Sequence, residues 1–269
     1  MRFAITPLRQ RLLSISSLTA TAALVLALSS TASYAQPIDT SLKVTTADKG
    51  NLPDAQSYCK GEIAATTQYA QYVSKRRYEI NCMMSELKSY QQANLSPTVQ
   101  YTAFKAQAWL SYAQAEASES SLSPVSPASL DAWQQGVSLL QALHNQQADL
   151  LMHSTNIPNY STLLRPDLWA TLLALKQNGA MAVAPRELAF SEVKLIWAAA
   201  EQCEADWRHA REHFDAAERW LNQAKTAYVD NDGAKLAILQ TEVAKLQTEL
   251  TPRVGASSQC QGQDLTSIR

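Results

Sequence analysis

Glycine is scarce in this sequence. Only seven of the 269 residues are glycine, which is well below the average share of about 7% in soluble domains. A fold with many tight turns needs glycine where φ is positive, so this scarcity argues against a turn-rich β protein. Alanine and glutamine, which are compatible with helices, are abundant instead. The composition therefore predicts an all-α fold.

An excess of charge of either sign is also missing. Lysine and arginine number 23, aspartate and glutamate number 24, and the formal net charge is −1. This balance gives no electrostatic footprint for nucleic acid or for an anionic lipid surface. The sequence also contains no glycine-rich phosphate loop, no distinct Ser–His–Asp spacing and no acidic metal loop. We therefore predict no nucleic-acid partner, no cofactor and no catalytic residue.

The first 35 residues have the pattern of a cleaved signal peptide. Three arginines precede an apolar run over Leu12–Leu28, and Ser33-Tyr34-Ala35 offers small residues at the two positions that signal peptidase reads. Serines and threonines interrupt the run, which favours cleavage over the alternative of a membrane anchor. Removal of the three basic residues would change the net charge from −1 to −4. We predict a periplasmic protein with no stable membrane insertion.

Two stretches of the chain resemble each other and predict an internal repeat. A shift of 111 positions matches the following pairs: Ala106 with Ala217, Trp109 with Trp220, Leu110 with Leu221 and Ala113 with Ala224. Further on, a shift of 106 matches these: Leu130 with Leu236, Val137 with Val243 and Leu140 with Leu246. The difference corresponds to Ser123–Pro127, which has no counterpart in the second copy. The sequence thus predicts an antiparallel helical bundle built from two copies of a long helical hairpin.

After the leader, we divide the chain into five parts. They are an irregular arm over 36–53, a first helical hairpin region over 54–155, a connector with one short helix over 156–185, a second helical hairpin over 186–251 and a polar tail over 252–269.

Helix starts and stops can be read within these parts. In the first region we expect one helix, or two broken near Ser74, and then helices that begin at Pro97 and Pro127, the latter running to about His153. In the connector, a helix over about 167–177 ends at Asn178-Gly179.

In the second hairpin, apolar residues alternate at spacings of three and four from Val193 to Tyr228, which predicts one continuous helix over 186–228. A turn at 230–233 and a returning helix that ends at Pro252 complete it.

All four cysteines follow the leader, and an even number in an exported chain predicts disulfides. A hairpin that turns near residue 231 brings Cys203 opposite position 259, so we predict a Cys203–Cys260 bridge. Cys59 and Cys82 would lie about 35 Å apart on one straight helix, which is too far for a disulfide. Either the helix breaks between them, or the pairing differs, or both stay reduced.

One pattern could bind metal. His209, Glu212 and His213 spell H-x-x-E-H, the zinc-ligand motif of inverted zincin peptidases. The apolar periodicity places Glu212 on the side of the helix away from the core. We therefore favour a solvated helix flank and predict no metal site. Chance metal binding by the two histidines and a zinc-dependent hydrolase remain the alternatives.

Trp109 and Trp220 occupy equivalent positions in the two repeats. They could be exposed anchors for a partner, or they could pack one hairpin against the other, and we favour the packing interpretation.

The segment from Lys105 to Ala113, Lys-Ala-Gln-Ala-Trp-Leu-x-x-Ala, resembles part of the helical N-terminal region of some OmpA-like envelope proteins of Gram-negative bacteria, with an echo at 216–224. The resemblance implies an envelope location and a non-catalytic helical module. A peptidoglycan-binding domain usually follows the helices in that group. These 269 residues contain no such domain, so no functional residue is carried over.

These observations favour a non-catalytic periplasmic scaffold or adaptor that binds an unidentified envelope protein through a helical surface. Besides the hydrolase, a carrier of a small apolar molecule is the second alternative.

Overall fold

A computed structural model describes residues 68–119, 127–150, 156–204, 207–230, 232–256, 260–265 and 267–268. The expected signal peptide over 1–35, the arm over 36–53 and Cys59 lie outside these residues.

Helices dominate the described part of the chain. The α-helices there are α1 (Gln68–Tyr90), α2 (Pro97–Glu119), α3 (Pro127–His144), α4 (Pro166–Gln177), α5 (Pro185–Cys203), α6 (Trp207–Val229) and α7 (Gly233–Ala256). Short 3₁₀ turns cover Ala148–Leu150 and Ala180–Ala182, and two-residue strands, β1 (Asn156–Ile157) and β2 (Gln263–Asp264), pair antiparallel. The all-α class predicted from composition is confirmed.

α2 and α3 form a close antiparallel pair. The Ser96 hydroxyl accepts a hydrogen bond of 3.2 Å from the Val99 N–H, so the serine caps α2 as expected. Ala106 of α2 is fully buried, and Gly136 of α3 lies against Leu110. Such small residues allow two helices to approach closely.

Of the two alternatives for the first helix, the described residues fit the unbroken one, because α1 passes through Ser74 without a break. The end of the third helix differs from the expectation. α3 ends at His144 rather than near His153, and Gln146 then has a φ of 56°, which a continuing α-helix does not allow.

The prediction of one continuous helix over 186–228 is wrong. α5 ends at Cys203, and α6 begins at Trp207 and runs back along α5. Phe190 contacts Trp220 and Trp197 contacts His213. As the residue number rises along α5, the number of its partner on α6 falls, so the two helices are antiparallel. The alternating apolar stripe is therefore folded upon itself instead of facing a separate helix.

The second hairpin does not form as predicted either. The turn after Val229 is present, and Asp232 Oδ1 accepts hydrogen bonds from the N–H groups of Ala234 and Lys235 at 2.9 and 3.1 Å. However, α7 makes few contacts with α6 and packs mainly against α4. α7 also continues through Pro252 to Ala256. The two repeats thus share a sequence pattern but differ in how their helices pair.

The C-terminal segment is tied to the helical body in three ways. The predicted Cys203–Cys260 disulfide is present, with 6.0 Å between the Cα atoms. Strand β2 pairs with β1, and the side chains of Leu265 and Ile268 are buried in the core. Cys82 is also in a disulfide, so the option that it stays reduced is wrong. The described helices belong to one compact unit rather than to two separate lobes.

Candidate functional site

α5 is the central helix of the fold, and one edge of it reaches the surface. Apart from residues at its two ends, α5 is buried except at Phe190 and Lys194. These two residues follow the exposed Arg186 at intervals of four, so all three lie on one side of the helix. α6 lies beside this edge and buries a narrow stripe whose members are Ala210, Ala217, Leu221 and Ala224. Small residues there bring the larger side chains of the two helices into contact.

Side chains from the exposed edge of α5 and from the adjoining side of α6 meet at the surface. We call this area the α5–α6 seam and define it by Arg186, Phe190, Lys194, His213 and Trp220. Each of the five side chains is partly or largely exposed, and each contacts another member of the set.

One end of the seam is an aromatic pair with a cation. The rings of Phe190 and Trp220 lie 5.5 Å apart between centroids. The guanidinium carbon of Arg186 lies 5.1 Å from the Trp220 ring centre and 5.9 Å from that of Phe190. Within the described residues Arg186 makes no ion pair, and its guanidinium contacts aromatic faces instead.

The other end of the seam rests on a row of stacked rings. The Trp197 ring lies 3.9 Å from His213 and 4.5 Å from Tyr112, and Tyr112 lies 6.0 Å from Trp109. Trp197 and Trp109 are buried. The row crosses from α6 through α5 to α2, and it fixes the position of His213 against the core.

Lys194 completes this end of the seam. Its Nζ lies 3.7 Å from the Trp197 ring centre and 3.0 Å from His213 Nδ1. An ammonium group can only donate, so Nδ1 accepts and the imidazole is neutral with its proton on Nε2. Burial, the nearby Lys194 charge and His209 together lower the pKa of His213 to about 3. His213 is therefore uncharged at neutral pH.

The H-x-x-E-H residues do not converge on a shared point. His213 directs Nδ1 at an ammonium group, which repels a metal cation. His209 is exposed and its Nδ1 lies 3.8 Å from Glu201 Oε2. Glu212 is exposed, as the periodicity predicted. In the part of the chain that the structure describes, no cluster of three or more His, Cys, Asp or Glu side chains could hold a metal ion.

The two repeat tryptophans have different surroundings. Trp109 is 2% exposed and belongs to the core, whereas Trp220 is partly exposed in the seam. Neither of the two interpretations offered for the pair fits both residues. Trp109 packs inside the fold, and Trp220 is available for a contact.

A buried polar network joins α2, α4 and α5, and no pattern in the sequence predicted it. Glu192 is completely buried and accepts hydrogen bonds from Lys105 Nζ at 3.0 Å, from Lys176 Nζ at 2.9 Å and from the Tyr101 hydroxyl. Lys176 Nζ also lies 3.0 Å from the Tyr101 oxygen. The four groups satisfy one another in the core, which is how buried charges are tolerated.

Burial and the charges of this network shift the pKa values of Glu192 and Lys176. Burial alone would raise the pKa of Glu192, but the ammonium groups of Lys105 and Lys176 outweigh burial and lower it to about 2. Burial lowers the pKa of Lys176 to about 8. Because Glu192 is inaccessible to solvent, we interpret the network as a connection between three helices and not as a reaction site.

Comparison of the chain with protein-family models, with characterised proteins and with solved structures gives no match. Among the helices of the described residues, none combines the length and the apolar character needed to cross a membrane. The seam must therefore be interpreted from its own chemistry.

Proposed function

We propose that this protein is an exported, non-catalytic helical adaptor of the bacterial cell envelope that binds a partner protein through the α5–α6 seam. The observation that supports the proposal most is the partly exposed Phe190–Trp220 pair beneath Arg186. Tryptophan and arginine are the residue types that contribute most often to binding hot spots.

Two further observations agree with this proposal. The Cys203–Cys260 disulfide suits an oxidising compartment such as the periplasm, as does the signal-peptide pattern of residues 1–35. In addition, the seam lies on two helices that are held by the core, so binding would require little ordering of the backbone.

A zinc-dependent hydrolase is the weaker proposal. It would need His209 and His213 to share a metal with Glu212 close by, and the lysine at His213 Nδ1 opposes that arrangement. We therefore propose no reaction for this chain.

Site-specific photo-crosslinking in intact cells tests the adaptor proposal. A photoreactive amino acid at position 220 is expected to trap a protein partner. The same amino acid at position 207 is the control, because Trp207 is also on α6 but 59% exposed, and it lies on another side of the helix. If position 220 traps no protein under conditions in which the chain is folded, the adaptor proposal is wrong. N-terminal sequencing of the periplasmic protein, with Gln36 expected first, tests export separately.

A further inference from the structure

Two of the five residues that define the seam are basic, and none of the five is acidic. Arg186 and Lys194 lie on one side of α5, two helical turns apart, and the third polar member, His213, is neutral. Arg219, next to Trp220, is exposed and makes no ion pair within the described residues. Arg186, which contacts the aromatic pair, and Arg219, which adjoins it in the chain, are thus two exposed positive charges without an ion pair in the described residues.

Most acidic residues of α5 and α6 have a hydrogen-bond or ion-pair partner other than Arg186. Glu192 is in the buried network, and Glu201 accepts a hydrogen bond of 2.8 Å from the Trp197 indole N–H. Asp215 lies 3.9 Å from Arg211, and Glu218 lies 3.3 Å from Arg165. Glu187 and Glu212 remain, and neither is within ion-pair distance of Arg186. A ligand carboxylate placed at Arg186 would therefore form an ion pair with a guanidinium that makes none within the described residues.

From these contacts we infer that the seam binds an acidic polypeptide segment of the partner. Its carboxylates would face Arg186 and Lys194, and one of its large apolar side chains would pack on Phe190 and Trp220. This inference rests on the proposed adaptor function and specifies the partner's chemistry. It follows from a guanidinium that lies on two partly exposed rings and has no counter-ion. An arginine held in this way is pre-oriented for a carboxylate.

An anionic bilayer is the competing occupant, and the overall charge disfavours it. The net charge is −1 for the whole sequence and −4 without the expected leader. Screening limits either occupant to charges within about 10 Å, but a bilayer faces a wide area of this acidic chain, whereas a short peptide faces only the seam. The basic residues of the seam thus suit a peptide better than a lipid surface.

Selection of random short peptides displayed on phage against the purified disulfide-bonded protein tests the inference. The selected pool is expected to be rich in Asp and Glu and to retain a large apolar residue. Fluorescence anisotropy with a selected peptide should show about tenfold weaker binding to Arg186→Glu and to Trp220→Ala. Binding should weaken as salt is raised.

Matched variants separate the seam from general surface effects. Trp207 and Arg208 form another exposed arginine–tryptophan contact, with 5.6 Å between the guanidinium carbon and the ring centre. Trp207→Ala and Arg208→Glu should bind the peptide like the wild type. Arg186→Lys, which keeps the charge, should retain part of the affinity. Circular dichroism and thermal unfolding of each variant show whether it is folded, and a folded Arg186→Glu protein with unchanged affinity overturns the inference.

Other outcomes distinguish this inference from the adaptor proposal. If position 220 traps a protein but the selected peptides show no acidic bias, or if their Asn and Gln analogues bind equally well, the acidic-segment inference fails and the adaptor proposal stands. Binding of phosphatidylglycerol vesicles through Arg186 and Trp220, without peptide binding, also overturns the inference. Capture of a second copy of this chain overturns it unless the contact point is an acidic segment of that copy.

Discussion

Gly136 of α3 lies directly against Leu110 of α2. A Cβ atom at position 136 would come within 2.7 Å of both Cγ and Cδ2 of Leu110, which is closer than carbon atoms pack. The close approach of α2 and α3 at this point therefore leaves little room for a Cβ atom.

Gly136→Leu is expected to lower the free energy of unfolding by about 2 kcal/mol, because the added atoms overpack the α2–α3 contact. Urea denaturation measures the change. Gln134→Leu is the control, since residue 134 is exposed on the same helix and should alter stability little. Equal midpoints for the two variants would contradict the close packing.

Gly262→Ala should destabilise the protein more than Gly179→Ala. Both glycines have positive φ, 67° and 84°, so each substitution costs about 1 kcal/mol or more in the backbone. A Cβ at 262 would also lie 2.5 Å from the carbonyl oxygen of Ile157, whereas nothing lies within 4 Å at 179. Thermal unfolding compares the two variants, and similar losses would show that the tail is not held against β1.

Acid should destabilise the wild type through Glu192. The pKa of this carboxyl is about 2 in the fold and 4.5 as its ordinary value. Between these two pH values the unfolded state binds more protons than the folded state. The contribution of Glu192 to the free energy of unfolding is therefore fully present above pH 4.5 and is lost as the pH falls towards 2. Glu192→Gln should be less stable at neutral pH by about 3 kcal/mol, because Lys105 and Lys176 lose the carboxylate that pairs with both of them, and its remaining loss in acid should be smaller. Glu249→Gln, at an exposed site, is the control.

A second pH effect involves His213. Its pKa is about 3 in the fold and 6.5 as the ordinary value. The unfolded state binds the proton first, so part of the stability present above pH 6.5 is lost as the pH falls through this range. His213→Phe keeps a ring beside Trp197 and removes the titrating group. Chemical denaturation between pH 7 and about 4 should show a smaller slope for the variant, and an unchanged slope would contradict this assignment.

Removal of the Cys203–Cys260 bridge should lower stability strongly. The two cysteines are 57 positions apart, and closing a loop of that length is worth about 4 kcal/mol in the chain-entropy model. Guanidinium denaturation of the Cys203→Ser/Cys260→Ser double variant tests this value. An unchanged midpoint would mean that strand pairing and burial of the tail suffice to hold it.

Local sequence signals predicted local structure well. The starts of α2 and α3 at Pro97 and Pro127, and the end of α4 before Gly179, depend on residues that cap or restrict the backbone nearby. The fold-back between α5 and α6 has no such signal. No glycine or proline lies between Cys203 and Trp207, and the apolar spacing continues across the break. There the two helices meet through residues far apart in sequence, such as Trp197 with His213 and Phe190 with Trp220.

The candidate site could be predicted only in part for the same reason. Trp220 was identified as a possible partner contact from its position in the repeat. Arg186 and Phe190 recur at the spacing of one helix face, but their relation to Trp220 appears only when α6 is placed antiparallel to α5. The disulfide was predicted with the right partners from a hairpin that does not form. The charges at Glu192 and Lys176 could not be paired from sequence, because they come from different helices.

The bridge between Cys203 and Cys260 encloses both α6 and α7. A protease that nicks the turn after Val229 would therefore leave two fragments covalently joined, and they would migrate as one band until a reductant is added. Because neither fragment can diffuse away, the cleaved molecule would stay in one piece, including the surface around Trp220 for which we propose a partner contact.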